Sequence, residues 1–113
     1  MYHISVEKKF KASHHIKGLE ERHGHLFTVR ITAKKKQLDR FCIAIDFKVL
    51  RSHLDEIITK LDNGDLNRFI EPPSCENIAK FIFERLKEKI PELIAVEVTE
   101  GDHGSVRYSN GLL

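Results

Sequence analysis

Several features that would assign this chain to a class are missing from its 113 residues. There is no tryptophan, and Cys42 and Cys75 are too far apart to form a C-x-x-C metal or redox motif. No apolar run approaches the roughly 20 residues needed to span a bilayer. The opening MYHISVEKKF lacks the basic and apolar segments of a signal peptide. These absences predict a cytoplasmic protein with no membrane partner and no disulfide framework. One disulfide between the two cysteines is left as an alternative.

The residues that are present are typical of one globular domain over 1–113, with 41% hydrophobic and 32% charged residues. Residues 1–40 carry ten of the 19 Lys and Arg residues but four of the 17 Asp and Glu residues. This imbalance is typical of a solvated surface, and it also suits an electropositive funnel for an anionic small molecule. No basic and aromatic motif accompanies it, so we expect no nucleic-acid partner.

Alternation with a period of two predicts two strands in the first third of the chain. Even positions from 2 to 14 are apolar, aromatic or histidine apart from Lys8, and odd positions from 23 to 33 repeat the pattern. Successive side chains of a strand point to opposite sides, so each alternating set is expected to face the core. Residues 15–22 are interpreted as the connecting loop.

Apolar residues at helical spacing begin after residue 46. Asp46 suits an N-cap, and the apolar positions of this first helix run from Phe47 to Leu61. Asn63-Gly64 predicts its end. The FCIAID segment at 41–46 is interpreted as a short apolar piece in which Cys42 is buried and inert.

A second helix and two more strands complete the order β-β-α-α-β-β. Ser74 follows two prolines and suits the N-cap of a helix that ends before Pro91. Residues 94–98 alternate as a third strand, and residues 106–108 indicate a fourth. Two hairpins would give a four-stranded antiparallel sheet with both helices on one face, which is an α+β fold.

Three histidines fall on the inward side of the two predicted strands. His23-Gly24-His25 presents two imidazoles on one side, since alternate residues of a strand share a face. His14 ends the first strand where the second begins, so a hairpin would bring it beside them. Three neutral imidazoles with an open fourth position are a catalytic zinc arrangement. The same spacing also occurs in surface or core histidines. His15 is an alternative first ligand, although its side chain falls on the opposite side.

With these motifs in view, the chain resembles the 6-pyruvoyl-tetrahydropterin synthase / 6-carboxytetrahydropterin synthase family. The resemblance runs almost end to end and rests on FKASHH at 10–15, HGHLFTV at 23–29, IDF at 45–47, LDNGDLN at 61–67, PSCENIAKFIF at 73–83 and VTEGDHGSVRY at 98–108. It implies a tunnelling fold, in which three subunits join their sheets into a barrel and two trimers stack into a homo-hexamer with active sites between subunits. It also implies zinc on His14, His23 and His25, and the pterin triphosphate 7,8-dihydroneopterin triphosphate as substrate.

The resemblance further implies which residues bind the pterin. Glu100 looks like the glutamate that anchors the pterin, and its place on an apolar strand face agrees, because a carboxylate there needs a partner. The guanidine-like edge of a pterin offers two N–H donors that suit a carboxylate. Cys75 and Glu76 match further pterin contacts at a helix start, with Cys75 standing where the family usually has Thr.

Two catalytic positions depart from the family pattern. The family commonly has a Cys shortly before HGH, whereas this chain has Glu20 and Glu21. A branch of the family with a glutamate at the position of Glu20 is associated with cleaving the side chain to 6-hydroxymethyl-7,8-dihydropterin. The family's Asp-His proton-transfer pair is reduced to Asp62 and Asn63, and Asn does not titrate near pH 7. We therefore predict Glu20 and Asp62 as catalytic, with Glu21 as an alternative base and His103 as an alternative to the missing imidazole.

The resemblance and the residues together predict a zinc-dependent lyase acting on 7,8-dihydroneopterin triphosphate, with side-chain cleavage as the first choice of reaction. Conversion to a 6-pyruvoyl- or 6-carboxy-tetrahydropterin is the second interpretation, and a pterin-binding protein with little turnover is the third. Cys75 is the rival to Glu20 as base, because a helix N-terminus lowers a thiol's pKa.

Overall fold

The two alternating segments at the start of the chain form one long antiparallel hairpin. In the computed structural model, which describes residues 1–111, β1 (Tyr2–Ile16) pairs with β2 (Glu20–Lys35). The turn therefore spans residues 17–19 instead of the predicted loop 15–22. Gly18 has a φ of 85°, a conformation that glycine adopts without steric cost. The longer hairpin places His14 directly opposite His23.

The remaining elements confirm the α+β fold with two helices on one face of the sheet. They are α1 (Phe47–Leu61), β3 (Gly64–Asp65), a 3-10 turn (Leu66–Arg68), α2 (Cys75–Lys87), β4 (Leu93–Glu100) and β5 (Gly104–Ser109). The strand order is β3-β1-β2-β4-β5, and β3 runs parallel to β1 while the other pairs are antiparallel. The sheet thus has five strands rather than the predicted four. β3 is two residues long, too short to produce an alternating pattern in the sequence.

The core lies between the helices and the sheet, on the side that the alternation predicts. On β1 the buried residues include Val6 and Phe10, and on β2 they include Phe27 and Val29. The rings of Phe10 and Phe27 stack with centroids 5.1 Å apart, directly below the predicted histidine ligands in the hairpin. Tyr2 at the strand start is exposed, so the buried alternation begins two residues later than expected.

Both helices begin at the predicted N-caps. The Asp46 carboxylate accepts a hydrogen bond from the backbone of Lys48 at 2.9 Å, and the Ser74 hydroxyl accepts one from Asn77 at 3.2 Å. These side chains satisfy N–H groups that the first helical turn leaves free. Within residues 1–111, neither helix has the length and apolar character to cross a membrane.

The segment between β2 and α1 differs from its prediction. Cys42 is exposed rather than buried, and it has a φ of 62°. The carboxylate of Asp39 accepts hydrogen bonds from the backbones of Phe41 and Ile43, at 2.8 and 3.1 Å. These bonds fold the segment into a turn that leaves Phe41 and Ile43 exposed, whereas Ala44 and Ile45 pack partly buried against the core. Phe47, placed in the apolar stripe of α1 by its spacing, is also exposed.

Candidate metal centre and active site

The three histidines predicted as metal ligands converge at the turn end of the hairpin. One ring nitrogen each of His14, His23 and His25 lies within 4.8 Å of the other two. β1 contributes His14 and β2 contributes the other two, because all three positions share the inward side of the hairpin. His15, the alternative first ligand, is not part of the cluster. Its side chain faces the opposite side, where its Nδ1 lies 2.9 Å from the Arg22 guanidinium.

Backbone carbonyls fix the tautomer of two of these rings. His14 Nδ1 lies 2.9 Å from the carbonyl oxygen of Pro73, and His23 Nδ1 lies 2.7 Å from that of Glu21. A carbonyl oxygen only accepts, so in both rings Nδ1 carries the proton and donates it. In this tautomer the neutral ring leaves Nε2 unprotonated, which is the form that binds a metal. Nothing in the sequence signalled the Pro73 carbonyl, which lies 59 residues from His14.

The surroundings of His14 test whether a cation fits here. Its side chain is 1% exposed, and its Nε2 is buried without a hydrogen-bond partner among the described residues. That nitrogen lies 3.1 Å from a carboxylate oxygen of Glu100. Two acceptors facing each other at this distance repel unless positive charge lies beside them. The three histidines therefore fit a bound divalent metal.

Electrostatics also favour the neutral form of the third ring. Burial lowers the pKa of His25, and the neighbouring imidazoles of His23, His14 and His103 lower it further, while the Glu100 carboxylate partly opposes them. A lowered pKa keeps the His25 lone pair available at neutral pH. The orientation of His14 and His23 by backbone carbonyls and the lowered pKa of His25 both suit metal binding.

Glu100 lies at the end of β4, beside the histidines. Its side chain is 17% exposed, and its second carboxylate oxygen lies 3.9 Å from Nε2 of His25. β4 pairs with β2 so that Glu100 is opposite Phe27, which brings it to the level of the cluster. A cavity of about 650 Å³ opens here, lined by Glu100 together with Leu19, Glu20, Glu21, Arg22, His23, His25 and His103.

Glu20 is the carboxylate that the turn brings to the metal ligands. One of its oxygens lies 3.7 Å from Nε2 of His23, and the side chain is about one-third exposed, at 35%. Glu21 also lines the cavity, but the contact it makes with the cluster is through its backbone carbonyl to His23. The turn therefore presents the carboxylate of Glu20, more than that of Glu21, to the histidines.

Cys75 and Glu76 form the start of α2, and Cys75 faces the same site. The Cys75 thiol lies 3.9 Å from a carboxylate oxygen of Glu100, whereas Glu76 is exposed. Burial raises the pKa of Cys75 to about 12, and the negative charges of Glu100 and Glu76 add to this effect. The helix N-terminus is thus outweighed, and the expected lowering of this thiol's pKa does not occur.

The other two residues considered for proton transfer lie in different places. The Asp62 carboxylate accepts a hydrogen bond from the backbone of Lys11 at 3.0 Å, on the edge of β1 away from β2. No contact within residues 1–111 joins it to the histidine cluster of the same chain. His103, in the turn after β4, packs its ring against His25 with centroids 5.3 Å apart.

Comparisons with known proteins relate the whole chain to a family. The family model of 6-pyruvoyl tetrahydropterin synthase matches residues 3–111. A 6-carboxy-5,6,7,8-tetrahydropterin synthase of Synechocystis is 34% identical over 120 residues, which cover 96% of this chain and 93% of that protein. A dihydroneopterin monophosphate aldolase of Pyrococcus furiosus is 32% identical over 90 residues, 78% of this chain and 77% of that protein.

Solved structures show the same fold. The 6-pyruvoyl tetrahydropterin synthase of Caenorhabditis elegans superposes with a TM-score of 0.79 at 20% identity, over 98% of each chain. A Plasmodium vivax 6-pyruvoyltetrahydropterin synthase, solved as a variant of a catalytic glutamate, has a TM-score of 0.71 at 18% identity, with 95% of this chain and 96% of that one covered. The family match over nearly the whole chain, together with the relatives of 32% and 34% identity, establishes that the protein belongs to the 6-pyruvoyl tetrahydropterin synthase family.

Proposed function

We propose that this family member is a zinc-dependent lyase that acts on 7,8-dihydroneopterin triphosphate and cleaves its side chain to give 6-hydroxymethyl-7,8-dihydropterin. The observation that carries the proposal is the convergence of the three histidines with Glu20 and Glu100 around one cavity. The arrangement supplies a metal-ligand set, a base and an anchor for a pterin within a few ångströms. The relatives named for dihydroneopterin and tetrahydropterin chemistry support the substrate class.

Zinc is the ion that best suits the ligands. His14, His23 and His25 would hold it through neutral imidazoles, the ligand set of catalytic zinc, whereas Mg²⁺ and Ca²⁺ prefer oxygen ligands. When bound, the ion would polarise a substrate hydroxyl and make its proton easier to remove. The carbonyls of Pro73 and Glu21 support this role, because they hold two of the rings in the ligand tautomer.

Glu100 is proposed to anchor the pterin. Its carboxylate is largely buried in a cavity of about 650 Å³, and no cationic side chain is paired with it among the described contacts. A pterin's guanidine-like edge would supply two N–H donors to the two oxygens, in the bidentate manner of Arg and carboxylate. Cys75 and Glu76 are proposed as additional contacts at the start of α2, with Cys75 already touching Glu100.

Glu20 is proposed as the base for the substrate hydroxyl. It lies beside a metal ligand, and a positioned carboxylate can act as a general base. The rival Cys75 is disfavoured, since a pKa of about 12 leaves almost no thiolate at pH 7. The Plasmodium vivax enzyme supports the choice as well, because a glutamate is a catalytic residue in that protein.

This arrangement suits cleavage of a carbon–carbon bond. Glu20 would take the proton of the side-chain hydroxyl on the second carbon, that carbon would become an aldehyde, and the bond to the first carbon would break. The electron pair left on the first carbon is delocalised into the pterin ring, and protonation there by the acid form of Glu20 completes the hydroxymethyl product. The phosphates leave on the two-carbon aldehyde. The relative named as a dihydroneopterin monophosphate aldolase supports this reaction.

Formation of a 6-carboxy- or 6-pyruvoyl-tetrahydropterin is the second candidate. The Synechocystis relative, matched over 96% of this chain, favours the 6-carboxy product. A catalytic part for Asp62 in either reaction is also a proposal. Its carboxylate lies on the outer edge of β1, so it would have to act at the site of a second copy of the chain. A pterin-binding protein with little turnover is the third candidate.

The proposal also includes an oligomeric state, either a trimer or a hexamer built from two trimers. β5 and most of β1 form open sheet edges in the described chain, and exposed edges are commonly covered by pairing with another chain. Sedimentation velocity at low protein concentration measures the state directly. A monomer that binds a pterin tightly would contradict an intersubunit site.

The decisive experiment is product analysis with 7,8-dihydroneopterin triphosphate and with the monophosphate, using zinc-loaded protein. Cleavage gives 6-hydroxymethyl-7,8-dihydropterin with the phosphates still on a two-carbon aldehyde, whereas the pyruvoyl reaction releases free triphosphate. Glu20→Gln should reduce the rate about 100- to 10,000-fold, the usual cost of removing a general base. Glu21→Gln is the matched control and should retain activity. An active Glu20→Gln with a dead Cys75→Ala would return the base to the thiol.

A further inference from the structure

Two residues that adjoin metal ligands in the hairpin, His15 and Arg22, are bonded to side chains from outside the hairpin. His15 follows the ligand His14, and the side-chain amide of Asn67 bonds both of its backbone groups. The His15 N–H donates to Asn67 Oδ1 at 2.9 Å, and Asn67 Nδ2 donates to the His15 carbonyl at 3.0 Å. One amide making both bonds fixes the orientation of the His15 peptide groups, and with it the backbone that carries His14.

The second held residue is Arg22, which precedes the ligand His23. Its guanidinium lies 2.8 Å from a carboxylate oxygen of Asp65 and donates to His15 Nδ1 at 2.9 Å. The same Asp65 oxygen accepts from the backbone of Asn67 at 3.1 Å, so the two anchoring residues are also fixed to each other. Arg22 alternates with His23 along β2, and its contacts therefore hold the strand from the face opposite the cluster.

The hairpin needs such support at this point. The β1–β2 register becomes irregular between His14 and Ile16, immediately beside the cluster, and the turn that follows is only residues 17–19. Where the ladder is interrupted, the strands alone define the separation of His14 and His23 less firmly. The segment that supplies Asp65 and Asn67 lies beside β1, where β3 pairs with Ala12 and Ser13.

We infer that Arg22, Asp65 and Asn67 form a hairpin clamp, a set of positioning residues that holds His14 and His23 at the separation required for a metal ion. The inference rests on the proposed metal site, and it assigns a positioning function to residues outside the set of metal ligands. Residues that orient metal ligands from behind typically change metal affinity by 10- to 100-fold when they are removed. The ion pair itself is half exposed, so the clamp acts on local geometry more than on global stability.

The test is zinc affinity in metal-free protein, measured by competition with a chromophoric chelator. Asp65→Ala and Asn67→Ala should each bind zinc about 10- to 100-fold more weakly than wild type. Glu7→Ala is the matched control, because it breaks the exposed 3.1 Å ion pair with Arg30 on the same hairpin but far from the cluster. It should bind zinc as wild type does. Melting temperatures of metal-free Asp65→Ala and Glu7→Ala should stay within about 5 °C of each other, since exposed pairs add little stability.

A second readout keeps the clamp testable even if one variant folds poorly. Amide hydrogen exchange at residues 14–16 and 20–23 of metal-free protein should be faster in Asp65→Ala and in Arg22→Gln than in Glu7→Ala. The clamp is wrong, while the metal site stands, if two results hold together. Asp65→Ala and Asn67→Ala bind zinc with the affinity of wild type, and Asp65→Ala and Arg22→Gln exchange their amides no faster than Glu7→Ala. Wild-type protein that binds zinc no better than His23→Ala would instead overturn the metal site, whatever the exchange rates show.

Discussion

Zinc binding should raise the stability of the folded protein by an amount that can be estimated. The three ligands come together only in the folded hairpin, so zinc binds the folded state in preference to the unfolded one. At a free zinc concentration 100 times the dissociation constant, the stabilisation is about 2.7 kcal/mol. Unfolding entropy of about 2.1 cal/mol/K per residue gives about 240 cal/mol/K for 113 residues. The melting temperature should therefore rise by about 11 °C.

The cleanest perturbation of this effect is His23→Ala. The His23 side chain is 30% exposed, whereas His14 is 1% exposed and its removal would also leave a cavity in the core. The variant should fold as metal-free protein with a melting temperature close to wild type, and zinc should no longer raise it. His3→Ala, which removes an exposed histidine outside the cluster, should retain the full increase.

The assay is thermal unfolding followed by far-ultraviolet circular dichroism, with chelator and then with excess zinc. Zinc content per chain is measured in parallel by elemental analysis, with about one ion expected. An equal increase in wild type and His23→Ala would refute the reasoning, because the stabilisation would then arise from some other site. No increase in wild type at saturating zinc would refute it as well.

Two further predictions concern the other side of the site. Glu100→Gln should weaken binding of a dihydropterin product by about 2–3 kcal/mol, the ordinary cost of losing a charged, buried hydrogen-bond acceptor. The zinc content should stay the same. Calorimetric titration measures the binding, and an unchanged affinity would place Glu100 outside the binding site. In metal-free protein at pH 8, iodoacetamide should modify the exposed Cys42 well before Cys75, because the raised pKa of about 12 keeps the Cys75 thiol protonated until the pH is far higher. Mass spectrometry of the labelled peptides follows both cysteines, and equal rates would show that the site does not raise the Cys75 pKa.

Much of the fold follows from local patterns that depend on neighbours along the chain. The alternation in 2–14 and 23–33 places each side chain on one side of a strand, and a hairpin then brings the ends of these strands together. Helix starts at Asp46 and Ser74 were predictable because capping is chemistry within one turn. The short β3 and the exposure of Cys42 were not predictable from the sequence. Two residues are too few to show an alternating pattern, and an apolar segment gives no information on whether other elements pack over it.

The sequence by itself determined that His14, His23 and His25 share one face, because strand periodicity and the hairpin follow from the order of apolar residues. Only the tertiary structure decided what surrounds them. Glu100 arrives from a strand 75 residues further on than His25, and the Pro73 carbonyl that orients His14 comes from the loop before α2. The clamp by Asp65 and Asn67 likewise comes from a segment with no regular pattern. Periodicity reports which side of an element a residue occupies, whereas its partners across space depend on how the helices and strands pack together.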